Sequence, residues 1–179
     1  MKRILLASAL LATSSIASAN DYYVGIDASL MNVEVSAPGF SFSEGANPSA
    51  IKLRFGTKFN KYVGLEASYG TGLSSDEVEN TRIDIELKNS FSIQAVGFIP
   101  ISDSFRFSGK LGVARVEFED NDGDKADADG VFLGVGLAYD FSEKVGLNLE
   151  LVKYSKGEYD DFNLDVDPTA LNLGLNIYF

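Results

Sequence analysis

The chain has 179 residues, with 26 Asp and Glu against 15 Lys and Arg, and it contains neither cysteine nor histidine. The length suits one domain, and the acidic balance argues against a nucleic-acid partner, which would require a basic surface. The lack of cysteine excludes disulfide bonds, and without histidine or cysteine the usual means of activating a catalytic nucleophile are missing. We therefore do not expect an enzyme, and no motif indicates a cofactor.

Residues 1–19 have the pattern of a secretory signal peptide that is removed on export. Lys2 and Arg3 precede a short apolar run at 4–12, and the small residues at 17–19 form a cleavage site. The apolar run is shorter than the roughly 20 residues that a membrane-spanning helix requires. We expect a mature domain at 20–179, exported through the periplasm, with 13 Lys and Arg against 26 Asp and Glu.

Eight later segments alternate apolar and polar residues, which is typical of β-strands with one apolar face. In chain order the segments are 22–31, 51–59, 62–71, 82–99, a stretch that begins at 105, 131–141, 145–154 and 169–179. Helical periodicity is weak throughout, so the pattern predicts an all-β chain.

Two of these segments break the alternation. The fourth begins with apolar residues at 83, 85 and 87 but continues with Val96 and Phe98, and the fifth changes phase at Val116 and Phe118. A phase change within a strand suggests a β-bulge or a shifted register.

The connections between the segments alternate between short and long. Short turns are predicted at 60–61, 100–103 and 142–144, and long polar loops at about 32–48, 72–81, 119–130 and 155–168. This rhythm places the long loops at one end of an up-and-down sheet and the short turns at the other. It matches the roughly 10-residue tilted strands, short periplasmic turns and longer external loops of a transmembrane barrel.

The two faces of the strands differ in composition. One is rich in Gly, Ser, Asn and charged residues, whereas the other carries most of the bulky apolar side chains. A soluble barrel of the lipocalin type, with its apolar face inside, remains an alternative. We favour an all-β, eight-stranded antiparallel up-and-down transmembrane β-barrel, closed because hydrocarbon offers no partner to a free strand edge. Aromatic residues near the turns suggest an interfacial girdle: Tyr22, Tyr23, Phe59, Tyr62, Phe105, Tyr139, Phe141 and Phe179.

Five stretches of the sequence resemble those of a known membrane-protein family. They are Tyr22-Tyr-Val-Gly25, GLEASYG at 64–70, GKLGV at 109–113, GVGLAYDFSEKVGLNLEL at 134–151 and the terminal Tyr178-Phe179. The family is that of the small outer-membrane β-barrels typified by the transmembrane domain of OmpA and by OmpX. The resemblance covers 20–179 and implies a monomeric barrel in the outer membrane of a Gram-negative bacterium, in contact with lipid and lipopolysaccharide. No residue follows Phe179, so the peptidoglycan-binding domain of full-length OmpA is not expected.

Six charged residues fall on the polar, inward face of the predicted strands: Lys52, Arg54, Glu66, Arg106, Lys110 and Glu150. An unpaired charge in a narrow lumen is costly, so we expect these side chains to form pairs or networks. The resemblance to OmpA implies an alternative, a charge gate, because an internal cluster of Glu, Arg and Lys is described as able to open a small pore in that barrel. Glu66, Lys110 and Glu150 stand at similar strand positions, but the last strand offers no arginine. We favour a structural plug of ion pairs over a gate.

The segment 119–130 contains six carboxylates in twelve residues. Clustered carboxylates suit Ca²⁺, which makes Asp120, Asp122, Asp124, Asp127 and Asp129 candidate ligands. An EF-hand loop that begins at Asp120 requires glycine at position 125 and glutamate at position 131, where the chain has lysine and valine. We therefore favour a solvated external loop, with divalent ions that bridge acidic loops to lipopolysaccharide phosphates as the alternative.

The last strand places Leu173, Leu175 and Ile177 on its apolar face and ends on Tyr178 and Phe179. The resemblance implies that this strand is the signal read by the outer-membrane assembly machinery. For the whole barrel it implies a role in envelope integrity or in surface interaction, such as adhesion to a host or surface ligand through the loops. The alternative is a small or gated pore for ions or small solutes.

Overall fold

The computed structural model describes residues 21–36, 43–77, 84–120, 125–155, 157–159 and 164–179. These residues form eleven β-strands: β1 (Asp21–Ser36), β2 (Ser43–Ala46), β3 (Ser49–Lys58), β4 (Val63–Ser74), β5 (Asp76–Glu77), β6 (Asp84–Pro100), β7 (Phe105–Asp120), β8 (Lys125–Asp140), β9 (Val145–Tyr154), β10 (Gly157–Tyr159) and β11 (Leu164–Tyr178). No helix in the described ranges is long and apolar enough to cross a membrane.

Eight of the strands form a closed antiparallel barrel. Strands β1, β3, β4, β6, β7, β8, β9 and β11 each pair with the next of them along the chain, and β11 pairs back with β1. In this last pair Tyr23 lies opposite Tyr178 and Ser36 opposite Asp165. Three short strands extend the wall at one end, where β2 pairs with β1, β5 with β6, and β10 with both β8 and β11. The predicted eight-stranded up-and-down barrel is confirmed.

Short turns join the strands at one end of the barrel, here called the turn end, and the longer connections belong to the other, the loop end. At the turn end, backbone hydrogen bonds such as that from Phe141 N to Val145 O (2.9 Å) close the turns. At the loop end β1 continues to Ser36, and β7 and β8 pair as far as Glu119 and Lys125. The predicted loops at 32–48 and 119–130 are therefore wrong in part. Beyond the membrane both faces of a strand can be polar, so pairing continues where the apolar alternation has stopped.

A β-bulge in β6 explains why its apolar residues change phase. The pairing of β6 with β7 shifts between Leu87 and Asn89, so that Leu87 points into the barrel with 2% of its surface exposed. The prediction that Leu87 belongs to the apolar outer face is wrong, because one extra residue reverses the alternation. Val96 and Phe98 then occupy inward positions without a further break.

Strand β7 pairs continuously with β8 from Phe105 to Glu119. Val116 and Phe118 lie on the same inward face as Lys110, and they are 0% and 2% exposed. The register shift at this level lies in the neighbouring β6, where Leu87 pairs with Phe118 and Asn89 with Glu117, and β7 itself contains no bulge against β8. Val116 and Phe118 are apolar because the barrel interior itself changes from polar to apolar toward the loop end, a change that the alternation of a single strand does not reveal.

The outer face of the barrel is apolar, as a lipid-facing surface requires. Leu111, Leu133 and Leu173 are 56%, 62% and 51% exposed on this face. Seven of the eight aromatic residues assigned to the girdle are also exposed: Tyr22, Phe59, Tyr62, Phe105, Tyr139, Phe141 and Phe179. The eighth, Tyr23, is buried, because it alternates with Tyr22 and points inward, so its assignment to the girdle is wrong.

Candidate functional site in the barrel interior

Two stacked groups of side chains fill the barrel interior. The ionic layer consists of Asp27, Arg54, Glu66, Lys110 and Glu150, each at most 6% exposed. The apolar layer consists of Met31, Val33, Ala46, Ala50, Leu87, Ala114, Val116, Phe118, Phe132, Val152 and Ala170. On each strand that contributes to both layers, the apolar residue lies closer to the loop end.

Arg54, on β3, is the centre of the ionic layer. Its guanidinium donates to the Asp27 carboxylate from Nε to Oδ2 (2.5 Å) and from Nη2 to Oδ1 (2.9 Å), and from Nη1 to Glu66 Oε2 (3.0 Å). Lys110 Nζ lies 2.7 Å from Glu66 Oε1 and 2.5 Å from Glu150 Oε1. Arg54 Nη1 also lies 3.6 Å from Glu150 Oε1, so the five side chains form one network rather than separate pairs.

Neutral side chains complete this network. Tyr23 Oη donates to Glu66 Oε2 (2.8 Å), and Gln94 Nε2 donates to Glu66 Oε1 (2.5 Å). With the two cations, the Glu66 carboxylate thus receives four donors. Arg54 Nη2 also donates to Asn176 Oδ1 (2.8 Å). Buried charges are tolerated when their hydrogen-bonding capacity is filled in this way.

Two of the six charged residues predicted to face the lumen lie outside the ionic layer. Arg106 pairs with Asp140 nearer the turn end, where its Nη2 lies 3.0 Å from Asp140 Oδ1 and 2.7 Å from Tyr178 Oη. Lys52, two residues from Arg54 on the same face of β3, is 8% exposed and forms no ion pair with any described residue. The structure therefore divides the six predicted residues into four that belong to the ionic layer, one arginine that pairs with an aspartate outside the set, and one buried lysine.

The sequence-based set of lumen charges omitted Asp27. The signal for it was present, because Asp27 has the same parity as Tyr23 on the inward face of β1, just as Arg54 has the same parity as Lys52 on β3. With Asp27 included, the positive and negative side chains on the turn-end side of the apolar layer are equal in number, apart from Lys58 at the turn end itself. Four cations then face four carboxylates: Lys52, Arg54, Arg106 and Lys110, and Asp27, Glu66, Asp140 and Glu150.

The apolar layer closes the interior toward the loop end. It draws side chains from every barrel strand except β4, and Val116 and Phe118 are its most deeply buried large members on β7. At its edge the rings of Phe132 and Tyr154 pack with their centroids 5.6 Å apart. Close packing of this kind fills the narrow interior that an eight-stranded barrel provides.

An open vestibule of about 870 Å³ lies at the turn end, and its lining includes Lys58, Arg106, Asp140, Lys144 and Tyr178. Further in, a cavity of about 20 Å³ lies among side chains of the ionic layer. A cavity of this size holds about one water molecule. The vestibule therefore ends at the ionic layer.

Most of the acidic segment predicted to attract Ca²⁺ lies outside the described side chains. Asp122 and Asp124 fall outside the described residues, and the structure gives only the backbone of Asp120 and Asp127, in β7 and β8. Asp129 pairs across the hairpin with an arginine of β7, with 3.1 Å between the charged atoms. Within the described ranges, no three acidic side chains are grouped so as to hold a metal ion.

Residues 4–179 match the family model of the outer membrane protein beta-barrel domain. The chain belongs to this family. Membership places the protein in the outer membrane, and barrels of this type keep their short turns in the periplasm and their loops outside. Among curated proteins, none matches the sequence.

Solved structures of small outer-membrane barrels share the fold of this family member. Ail of Yersinia pestis, in complex with the heparin analogue sucrose octasulfate, has a TM-score of 0.60 at 19% identity over 90% of this chain and 100% of Ail. Neisserial surface protein A has a TM-score of 0.64 at 15% identity, over 90% and 100% of the two chains. OprG from Pseudomonas aeruginosa has a TM-score of 0.60 at 17% identity, over 90% and 96%. The likeness to these structures shows the fold.

The last strand of this family member completes the barrel wall. Leu173, Leu175 and Ile177 face outward with 46–51% of their surface exposed, and Phe179 is 76% exposed. Tyr178 turns inward instead and accepts a hydrogen bond from Arg106. Recognition of these five residues by the outer-membrane assembly machinery stays a prediction.

Proposed function

We propose that this protein is a non-conducting outer-membrane barrel whose loop end binds a cationic ligand at the cell surface, and that the folded barrel supports the integrity of the envelope. Closure of the lumen carries this proposal. The ionic and apolar layers lie one above the other, and the cavity within the ionic layer measures only about 20 Å³. We assign no catalytic role, because the chain lacks the histidine and cysteine that most nucleophilic mechanisms use.

The net charge of the proposed mature chain, 20–179, belongs entirely to the loop end. The stretches that contain the loops and the strand ends leading into them hold 19 Asp and Glu but 6 Lys and Arg: 32–50, 71–90, 115–130 and 153–169. The rest of 20–179 holds 7 of each and is neutral. A surface of one sign attracts ligands of the opposite sign and accelerates their association.

The same charge distribution argues against the kind of ligand seen with Ail. Ail was crystallised with sucrose octasulfate, a heparin analogue that carries many negative charges. A surface with a formal charge of −13 repels such a polyanion. We therefore propose that the two barrels, alike in fold, take ligands of opposite charge, and that a basic peptide or protein surface suits this one.

We expect the protein in phospholipid nanodiscs to bind a lysine decapeptide, with an affinity that falls as the salt concentration rises, and to show no binding of sucrose octasulfate. Fluorescence anisotropy of the labelled peptide measures both through direct titration and competition. Replacing Asp122, Asp124, Asp127 and Asp129 with asparagine removes four charges from the loop end, and we expect about a tenfold loss of affinity.

The matched control removes charge from the other end of the barrel. Asp103→Asn with Glu143→Gln alters carboxylates at the turn end, beside the vestibule, and should leave peptide binding unchanged. The control removes two charges and the loop-end set removes four, so weakening in proportion to the charge removed would mean that binding follows the total charge of the protein rather than its loop end. Tight binding of sucrose octasulfate would contradict the proposal.

We expect planar lipid bilayers that contain the protein to remain electrically silent, because both interior layers lie across the lumen. A general porin reconstituted in the same way provides the positive control. Lys110→Gln should be silent as well, because it disturbs the ionic layer but leaves the apolar layer in place.

A gated pore is the second candidate function, and one observation favours it. Arg54 and Lys110 share the carboxylates of Glu66 and Glu150, so the partners in the ionic layer can be exchanged by small movements. Steady conductance by the unmodified protein, lost after charge reversal at Glu66 or Lys110, would establish the pore and refute the non-conducting barrel.

A further inference from the structure

The seam between β1 and β11 differs from the other contacts in the barrel wall. Every other pair of neighbouring barrel strands is consecutive among the eight, whereas β1 and β11 come from the two ends of the domain. Their pairing, which begins with Tyr23 opposite Tyr178, closes a loop of more than 150 residues. Closing a loop costs more entropy as its length increases, so this seam receives the least help from chain connectivity.

Three side-chain hydrogen bonds pass over strands of the seam, and the shortest, from Arg54 Nη2 on β3 to Asn148 Oδ1 on β9 (2.6 Å), passes over both β1 and β11. Arg54 on β3 donates from Nη2 to Asn176 Oδ1 on β11 (2.8 Å), although β1 lies between these strands. Asp27 on β1 accepts from Asn148 Nδ2 on β9 (3.1 Å), although β11 lies between them. The Arg54–Asp27 ion pair joins these bonds, so the set links four adjacent strands.

A glycine stands at each crossing point. Gly25 on β1 lies between Arg54 and Asn176 in the strand register, and Gly174 on β11 lies between Asp27 and Asn148. A Cβ atom at Gly25 would lie 2.7 Å from Arg54 Nη2 and 2.8 Å from Asn176 Oδ1. A Cβ atom at Gly174 would lie still closer to the Asp27 carboxylate. The crossings therefore exist because these two positions have no side chain.

We propose that Arg54, Asp27, Asn148 and Asn176 form a seam clasp, which holds β1 and β11 together and opposes lateral opening of the barrel into the membrane. Gly25 and Gly174 leave the space that the side chains of the clasp occupy as they cross β1 and β11. The backbone hydrogen bonds between β1 and β11 do not depend on these side chains. The clasp adds interactions between β3 and β11 and between β1 and β9, so that opening the seam breaks buried, partly charged hydrogen bonds as well as backbone ones.

Gly25→Ala tests this proposal, because the added methyl group lies between Arg54 and Asn176 and displaces a flexible side chain rather than backbone. We expect backbone amides of β1 and β11 along the seam to exchange with solvent about tenfold faster, while amides between β6 and β7 keep their rates. Hydrogen exchange in nanodiscs, resolved by fragment mass spectrometry, measures both. The matched control is Gly109→Ala, where a Cβ atom meets nothing within 4 Å.

A double-mutant cycle separates the clasp from general strain. Asn176→Ala alone removes the same bond that Gly25→Ala breaks, so we expect the double variant to exchange at the seam no faster than the faster single variant. Asn176→Ala combined with Gly109→Ala should behave as Asn176→Ala alone. If Gly25→Ala does not fold, hydrogen exchange of the same seam amides in Asn176→Ala and Asn148→Ala tests the proposal. Three results would each overturn the proposal. Gly25→Ala could accelerate exchange equally around the whole barrel, or it could leave seam exchange no faster than in Gly109→Ala. The third is that the effects of Gly25→Ala and Asn176→Ala on seam exchange multiply fully in the double variant.

Discussion

Arg54→Met should lower the free energy of unfolding by about 3–5 kcal/mol, the range measured when one partner of a buried ion network is removed. Methionine keeps most of the length and volume of the arginine side chain but leaves Asp27, Glu66 and Glu150 with only Lys110 to balance them. Asp27 suffers most, because Arg54 supplies both of its short cationic hydrogen bonds. Unfolding of the barrel by urea in phospholipid vesicles gives the free energy, followed by far-UV circular dichroism because the chain has no tryptophan.

Lys52→Met is the matched control, since Lys52 points inward from the same strand two residues away. Within the described residues Lys52 has no ion-pair partner, so its removal should change the stability by less than about 1 kcal/mol or raise it. Similar losses of unfolding free energy for Arg54→Met and Lys52→Met would show that any change of an inward side chain destabilises the barrel. The ionic network would then make no specific contribution to stability.

Phe118→Ala should cost about 3–5 kcal/mol, because it deletes a fully buried aromatic ring from the apolar layer and leaves a cavity. Phe118 is 2% exposed, and the residues around it are anchored to strands on all sides, so the layer has little freedom to collapse into the gap. Phe118→Leu keeps most of the apolar volume and should cost about 1 kcal/mol. The same urea titrations measure both variants. A loss below about 1 kcal/mol for Phe118→Ala would mean that the layer is loosely packed and does not close the lumen.

The alternation of residues predicted the wall of this barrel well. Leu147, Leu149 and Leu151 face lipid while Gly146, Asn148 and Glu150 face inward, as the period of two requires. Each barrel strand obeys the same physical rule locally, so the rule works without knowledge of the neighbours. It failed at Leu87, where a bulge that depends on the pairing with β7 reverses the faces.

The interior was harder to predict, because its chemistry depends on eight strands at once. Val116 and Phe118 suggested a bulge or a shifted register only because inward residues earlier in β7, such as Lys110, are polar. Their role becomes clear when Met31, Leu87 and Phe132 from other strands are seen at the same level. Likewise, the pairing of Arg106 with Asp140 rather than with Glu66 or Glu150 depends on the relative height of residues on different strands, which follows from the register. No single segment of sequence contains that information.

The unequal division of charge between the two ends of the barrel dictates what membrane insertion must accomplish. In a chain delivered from the periplasm, the four loop-end stretches, with 19 carboxylates and 6 Lys and Arg, have to reach the far side of the bilayer. A carboxylate in hydrocarbon costs at least about 2.5 kcal/mol, so these segments require a hydrated route rather than passage through intact lipid. We expect a sheet whose first and last strands have not yet paired to offer such a route between those strands. Once the first and last strands have paired, that route is closed and the acidic segments cannot return across the bilayer. Closure of the barrel therefore also fixes its orientation in the membrane.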